Sequence, residues 1–378
     1  MTAAMEVIGL RRQYPESTRP ALGGLDLSVS AGSCVALLGP SGSGKTTALR
    51  LIAGLDKPDG GDVRVDGVSV LGLAPERRGM AMVFQRPMLF PHLSVLDNVA
   101  FAARMAGASH RVARTAAHGY LELVQLGALA DRRPATLSGG QAQRVALARG
   151  LAAEPSVLLL DEPFSALDPS LRAEMHQLVE EVRAVLEPTI LLVTHDQQEA
   201  TTLADSIALV VDGNLLQHGD AQALYTRPSS PDVFRFLGGL NEVSGVVEGG
   251  RHVSALGSFE IPAGSQLPDG PAAMLVRQEA VAVRSADDPT AHADGRVTRA
   301  TVRGARTLIE VGTRVGPLFA EIPTGQCPSV GASVSLVLPL DARVVVRSAA
   351  DPAPDSADAG QVEVGTGDPA RTSISGSD

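Results

Sequence analysis

The chain has no tryptophan, and aromatic residues of all kinds make up 3% of its 378 positions. Its cores must therefore be aliphatic, and hydrophobic residues at 44% are enough to build them. Cysteine is nearly absent: Cys34 and Cys327 stand far apart, which excludes a disulfide framework and fits a reducing cytoplasm. Cys34 lies in the apolar run SCVALLG and reads as a small core residue. Basic residues are in deficit, 32 against 42 acidic ones, for a net charge of −10. That argues against nucleic acid as a partner, because such a binder needs a basic face to displace counterions. Long apolar runs are missing too. VLLL and TILLV fall far short of the ~20 residues of a membrane-spanning helix, and the opening MTAAMEVIGLRRQY lacks the apolar segment of a signal peptide.

What is present is a change of texture along the chain. The length predicts two domains. Over residues 1–240 short β-branched runs alternate with longer Ala/Leu-rich stretches, the pattern of an α/β domain around a largely parallel sheet. The strand candidates CVALLG, MAMVFQ, SVLLLD, TILLVT and SIALVVDG are apolar throughout, as strands buried on both faces are. Residues 94–130 and 140–154 read as helical. From 241 to 347 short valine-rich runs alternate with glycine and proline, which predicts a small all-β barrel. Residues 348–378 carry six acidic residues (Asp351, Asp355, Asp358, Glu363, Asp368, Asp378) against the single base Arg371, and read as a disordered acidic tail.

Two motifs carry phosphate chemistry. GPSGSGKT, spanning Gly39, Pro40, Ser41, Gly42, Ser43, Gly44, Lys45 and Thr46, fits G-x-x-x-x-G-K-[ST] in full, with Thr47 following. It sits between a strand candidate and the helix-like TTALRLIAG, the context that gives the motif its meaning. Its glycines let backbone N–H groups close around phosphates. Lys45 supplies a charge to the β- and γ-phosphates, and the Thr46 hydroxyl reaches Mg²⁺. SVLLLDEP then ends an apolar strand in Asp161, a second Mg²⁺ ligand, directly or through water. Glu162 follows, placed to orient or deprotonate an attacking water. A third stretch, TLSGGQAQRVALARG at 136–150, is a glycine-bearing turn opening a helix capped by Ser138. One chain thus carries two phosphate-facing helix starts almost a hundred residues apart.

Together these motifs make the chain resemble the ATP-binding subunit of ABC transporters over about residues 4–240. The resemblance implies a P-loop NTPase cassette with a helical subdomain, ATP and Mg²⁺ as ligands, and further site residues. Tyr14 in RRQY stands where the family stacks an aromatic ring on adenine. Gln85, ending MVFQ, resembles the glutamine that touches Mg²⁺ and senses the γ-phosphate. Asp168 in SALD resembles the loop that crosses the dimer interface, and His195 in LLVTHD the switch histidine at the γ-phosphate. In the family two cassettes pair head to tail. Ser138, Gly139, Gly140 and Gln141 would then serve the nucleotide of a second copy of the chain. A two-fold pair of unlike half-sites yields two complete sites. The segment RPMLFPHLSVLDNVAF, with Met88, Leu89, Phe90 and Phe101, resembles the surface that receives a coupling helix from membrane permease subunits.

Residues 241–347 resemble the OB-like regulatory (TOBE) domain of bacterial importers. MLVRQEAVAV stands for that domain's RPE strand, with Gln278 where the family usually has proline. The expectation is thus the ATPase of an importer of an inorganic ion such as ferric iron, sulfate or molybdate, or of a polyamine or sugar phosphate. It would work at the cytoplasmic face of the plasma membrane, as a peripheral protein, with permease subunits and an extracytoplasmic solute-binding protein. The alternatives are an exporter's ATPase subunit and a soluble ABC ATPase of repair or translation. The β domain counts against the first, and the absence of coiled-coil insertions or of a second cassette against the others.

Overall fold

The computed structural model describes residues 2–263 and 267–348, so the expected acidic tail lies, apart from Ser348, outside the described residues. The strands of the first 240 residues are β1 (Met5–Arg12), β2 (Leu22–Val29), β3 (Cys34–Leu38), β4 (Gly60–Val65), β5 (Val68–Ser69), β6 (Met80–Val83), β7 (Val157–Asp161), β8 (Thr189–Thr194), β9 (Ser206–Val211) and β10 (Asn214–Gly219). The five all-apolar runs named from the sequence are β3, β6, β7, β8 and β9. They lie together in one sheet of order β10-β9-β3-β8-β7-β6, parallel except for β10.

Both faces of this sheet are covered. Leu159, Leu191 and Val193 face one core, with Leu49 and Ile52 of α1 (Lys45–Ala53). Their neighbours Leu158, Leu160, Ile190 and Leu192 face the other. A period of two inside a wholly apolar strand is what burial on both faces demands.

The first core is closed by a second sheet, β2-β1-β4-β5, antiparallel throughout. The sequence reading did not separate this sheet. Its signal is the alternation in β1, where Met5, Val7 and Leu10 are buried between exposed residues.

The second core is closed by helices. Residues 94–130 form three: α2 (Val95–Val99), α3 (Phe101–Met105) and α4 (His110–Leu123). The break has a local cause. Gly107 is left-handed at φ 94°, and the Ser109 hydroxyl caps α4 by accepting from the Val112 N–H. α5 (Gly139–Leu151) and α6 (Pro169–Leu186) complete this layer, and α7 (Gln197–Leu203) packs beside β3.

Past α8 (Ala221–Thr226) and α9 (Pro231–Phe236) the chain becomes all β: β11 (Asn241–Glu248), β12 (Arg251–Ser254), β13 (Gly257–Glu260), β14 (Gly270–Val276), β15 (Ala282–Ser285), β16 (Ala293–Arg303), β17 (Arg306–Thr313), β18 (Gly316–Pro323), β19 (Ser333–Val337) and β20 (Arg343–Arg347). The β-rich unit is as expected, but no ladder closes it into one barrel among the described residues. It forms two five-stranded sheets, β13-β12-β11-β14-β20 and β15-β19-β16-β17-β18, around one aliphatic core. Asn241 joins them. Its buried side-chain amide donates to the Val276 and Phe319 carbonyls and accepts from the Phe319 N–H, so the group is fully satisfied.

This unit is fastened to the first by Phe234 of α9, buried against Ala273, Leu275 and Val346, and by Arg277, just past β14. The guanidinium stacks on the Tyr225 ring at 3.7 Å and donates to the Tyr225 and Leu237 carbonyls. Gln278, where the resembled domain has proline, donates its amide to the Gly238 carbonyl, a bond proline could not make. Arg277→Ala should therefore destabilise the protein by about 2 kcal/mol through the carbonyls it strands. Limited proteolysis should then cut between Thr226 and Asn241, and Arg277→Lys, lacking the planar fork, should not restore resistance. Proteolysis and thermal unfolding of the two variants measure this.

Candidate functional site: a phosphate loop over two strand ends

The C-terminal ends of adjacent strands β3, β8 and β7 lie along one sheet edge, the edge where open α/β sheets place their ligands. Residues 39–44 leave β3 as a loop whose shape is fixed by contact. A Cβ on Gly39 would lie 2.0 Å from the Val210 carbonyl oxygen. One on Gly44, which is left-handed at φ 95°, would lie 2.1 Å from that of Ala21. Neither position has room for a side chain. The loop feeds α1, whose first turn leaves the N–H groups of Lys45, Thr46 and Thr47 without intrahelical acceptors. Within the loop Ser43 is buried, whereas Pro40, Ser41 and Gly42 are exposed.

Lys45 is 5% exposed, and its ammonium donates to the Gly39 and Pro40 carbonyls at 2.8 and 2.7 Å. Burial lowers its pKa from the ordinary lysine value, while Glu162 and Asp161 pull it the other way. The Thr46 hydroxyl donates to Asp161 Oδ1 at 3.0 Å, joining positions 115 residues apart. Asp161, the last residue of β7, is itself buried. Desolvation raises its pKa, and Glu162 adds to that; the Thr46 hydrogen bond opposes it. Threonine hydroxyl and aspartate carboxylate are hard oxygen donors suited to Mg²⁺, which takes few protein ligands and keeps waters and phosphates for the rest.

Glu162 is left-handed at φ 43°, so the chain turns sharply past the end of β7 while its N–H donates to the Val193 carbonyl. The turn puts the Glu162 carboxylate 3.2 Å from His195 Nδ1, next to the end of β8. Two consecutive residues thereby address one site from different sides. Gln85 donates its amide to Ser165 Oγ at 2.9 Å, and Ser165 in turn donates to the Glu162 carbonyl. Sequence reasoning missed Ser165; the one signal was its place between Glu162 and Asp168. Tyr14 stands apart just beyond β1, its ring facing the Arg12 guanidinium at 5.0 Å.

The SGGQ group forms a separate cluster. Ser138 accepts from the Gln141 N–H, and the Gln141 side chain accepts from the Ser138 N–H, a closed capping box. Gly139 has open space around it, whereas a Cβ on Gly140 would lie 2.3 Å from Leu171 Cδ2. Asp168 caps α6 by accepting from the Leu171 N–H at 3.0 Å. The starts of α5 and α6 are thus interlocked through Leu171. Among the described residues no hydrogen bond connects this cluster to the 39–47 loop, Asp161 or His195.

Comparison with known proteins places this geometry. The family model described as ABC transporter matches residues 22–165. The chain is 40% identical over 359 residues, 92% of its length and 98% of the relative's, to the sulfate/thiosulfate import ATP-binding protein CysA 1 of Chromobacterium violaceum. It is 40% identical over 80% of its length and 86% of the relative's to the Fe(3+) ions import ATP-binding protein FbpC 1 of Rhizobium meliloti. Among solved structures it resembles the dimeric post-hydrolysis state of the ATP-binding cassette MJ0796 bound to ADP and Pi. There the TM-score is 0.53 and the identity 32%, over 57% of this chain and 98% of that one. The chain belongs to the ABC transporter family, as an ATP-binding subunit of the import type. It is an ATPase coupled to transport. No helix among the described residues is long and apolar enough to cross a membrane.

The raised pKa of Asp161 makes the folded state less stable where the carboxyl is ionised. Its carboxyl ionises less readily folded than unfolded, so the penalty is present in full above the folded pKa and vanishes below the unfolded one. Asp161→Asn should therefore melt higher than the wild type at pH 7 without nucleotide and metal, and the difference should close as the pH falls into the ordinary carboxylate range. Thermal unfolding across pH measures it.

Proposed function

We propose that ATP binds with its phosphates over residues 39–47 and that each named side chain has one task. Lys45 neutralises the β- and γ-phosphates. Thr46, Asp161 and Gln85 hold Mg²⁺, which when bound neutralises further phosphate charge. Glu162 orients and deprotonates the attacking water, and His195, held by Glu162, contacts the γ-phosphate. Tyr14 stacks on adenine. The observation that carries this reading is the pairing of Thr46 with Asp161 and of Glu162 with His195 at one sheet edge.

The second cluster completes the site of another copy. Ser138, Gly139, Gly140, Gln141 and Asp168 contact the nucleotide of a head-to-tail partner, so ATP closes the dimer and hydrolysis opens it. The separation of this cluster from the chain's own phosphate loop supports that assignment. Exposed Met88 and Met105, and Phe90 tilted against Phe101 with ring centroids 4.6 Å apart, offer the apolar surface for a permease segment. The likeness to the sulfate/thiosulfate and Fe(3+) import proteins supports a small charged solute, delivered by an extracytoplasmic binding protein and passed through membrane permease subunits. Residues 1–240 are the motor and 241–347 the regulatory unit, at the cytoplasmic face of the membrane.

Glu162→Gln should lower ATP turnover about 10²- to 10⁴-fold with ATP affinity retained, the range expected on losing a general base. Near-normal turnover overturns that role. Adding Ser138→Arg should abolish the ATP-dependent dimer of Glu162→Gln, read by size-exclusion chromatography, while each chain still binds ATP. A persistent dimer overturns the assignment in trans. Glu162→Gln pulled from detergent-solubilised membranes of its own organism with ATP should bring multi-span permease subunits. Recovery of soluble partners alone contradicts the transport assignment.

A further inference from the structure

One buried ionic cluster lies outside the residues assigned above. Glu199, on α7, is 3% exposed, and its Oε2 accepts from the Thr194 hydroxyl at 2.6 Å. Thr194 Oγ1 also accepts from the Asp196 N–H at 2.9 Å. These two bonds fix the backbone on both sides of His195. The other oxygen of Glu199 faces α6. Arg172 Nε lies 3.7 Å from Oε1 and His176 Nε2 3.9 Å from it, both just beyond hydrogen-bond reach. Both nitrogens are buried and have no hydrogen-bond partner among the described residues.

Arg172 is tied elsewhere as well. One terminal nitrogen pairs with Asp196 Oδ2 at 3.1 Å, and the other donates to the Leu167 carbonyl at 3.3 Å. Leu167 immediately precedes Asp168. A single guanidinium therefore spans the loop that carries Asp168 and the segment that carries His195. His176 packs edge-on against Phe164 at 5.1 Å, two residues past Glu162. The cluster touches both chain segments that bear on the proposed water and γ-phosphate, and it contains neither catalytic group.

We infer that Glu199 and Arg172 are positioning residues that couple the Asp168 loop to His195. A shift of the loop toward α7 carries α6 with it and closes the remaining few tenths of an ångström between Glu199 and these two nitrogens. His195 is thereby held against Glu162 when the partner chain engages Asp168. A buried carboxylate is costly unless well paired, and an apolar residue would pack α6 on α7 without that cost. What an apolar residue cannot do is grip Thr194 and Arg172 at once. The inference rests on the head-to-tail dimer proposed above.

The test is Glu199→Gln in the full chain, which keeps an acceptor for Thr194 and loses the charge that draws Arg172. ATP turnover is measured against ATP concentration, with ATP affinity and thermal midpoint measured beside it. Misplacement by less than an ångström should lower kcat about 10-fold, with KM within about 2-fold. The Hill coefficient should fall from the wild-type value toward one. Arg172→Lys keeps the charge without the fork. It should reproduce the loss, and the double variant should be no slower than the slower single one, because both act through one contact. Should Glu199→Gln not fold, Arg172→Lys alone carries the kcat and Hill readout. A variant that melts lower yet turns over and cooperates like the wild type marks a merely structural role and overturns the inference. A wild type that hydrolyses ATP without cooperativity, with a Glu162→Gln chain that never dimerises, overturns the dimer reading and this inference together. A cooperative wild type with unchanged Glu199→Gln kinetics overturns this inference alone.

Discussion

The parallel register of β3, β8 and β7 is the constraint on which the site depends. Cys34 to Leu38 pair with Ile190 to Thr194, and Val157 to Asp161 with Thr189 to Val193. All three strands therefore end within one residue of each other, and three stretches of chain far apart in sequence deliver their next residues to one place. Leu38 hands on to the phosphate loop, Asp161 to Glu162, and Thr194 to His195. A slip of one residue would turn the aliphatic side chains of a strand to the wrong core. Packing on two faces thus enforces the alignment that the chemistry needs.

Around that edge several local preferences are overridden. Glu162 is left-handed without being glycine, Lys45 is buried, and Asp161 and Glu199 are buried carboxylates. Each costs stability, and each side chain meets a specific partner: His195 for Glu162, a carbonyl pair for Lys45, and the hydroxyls of Thr46 and Thr194 for Asp161 and Glu199. Such conflicts between local rule and fold gather at functional sites, where the surrounding structure over-determines them. They explain why the burial that shapes the phosphate pocket also sets the protonation energies of the groups inside it.

The second unit follows the same logic of attachment. Its two sheets share an aliphatic core that the valine-rich sequence supplies. It meets the cassette through an apolar contact of Phe234 with Ala273, Leu275 and Val346 and through polar contacts that include Arg277 on Tyr225. A guanidinium between a ring and two carbonyls gives direction as well as attraction, so this unit meets the cassette in one orientation.

Much of this was legible in the chain. Five apolar runs named the sheet, and GPSGSGKT, LLLDEP and LSGGQ marked a loop entering a helix, a strand end and a capped helix start, because fixed spacing within a short unit is a local property. The three-helix division of 94–130 was half legible: Gly107 and Ser109 were there to be read. The antiparallel sheet over α1 and the two-sheet form of the C-terminal unit were not separated, since alternation says which face is buried and not which strands pair. The sequence by itself determined which residues could bind phosphate and metal. Only the tertiary structure decided that Thr46 meets Asp161, that Glu162 turns onto His195, that Ser165 links Gln85 to Glu162, and that Glu199 faces two donors on α6. Those contacts join residues on different strands and helices, and their distances are set by how the layers pack rather than by any spacing along the chain.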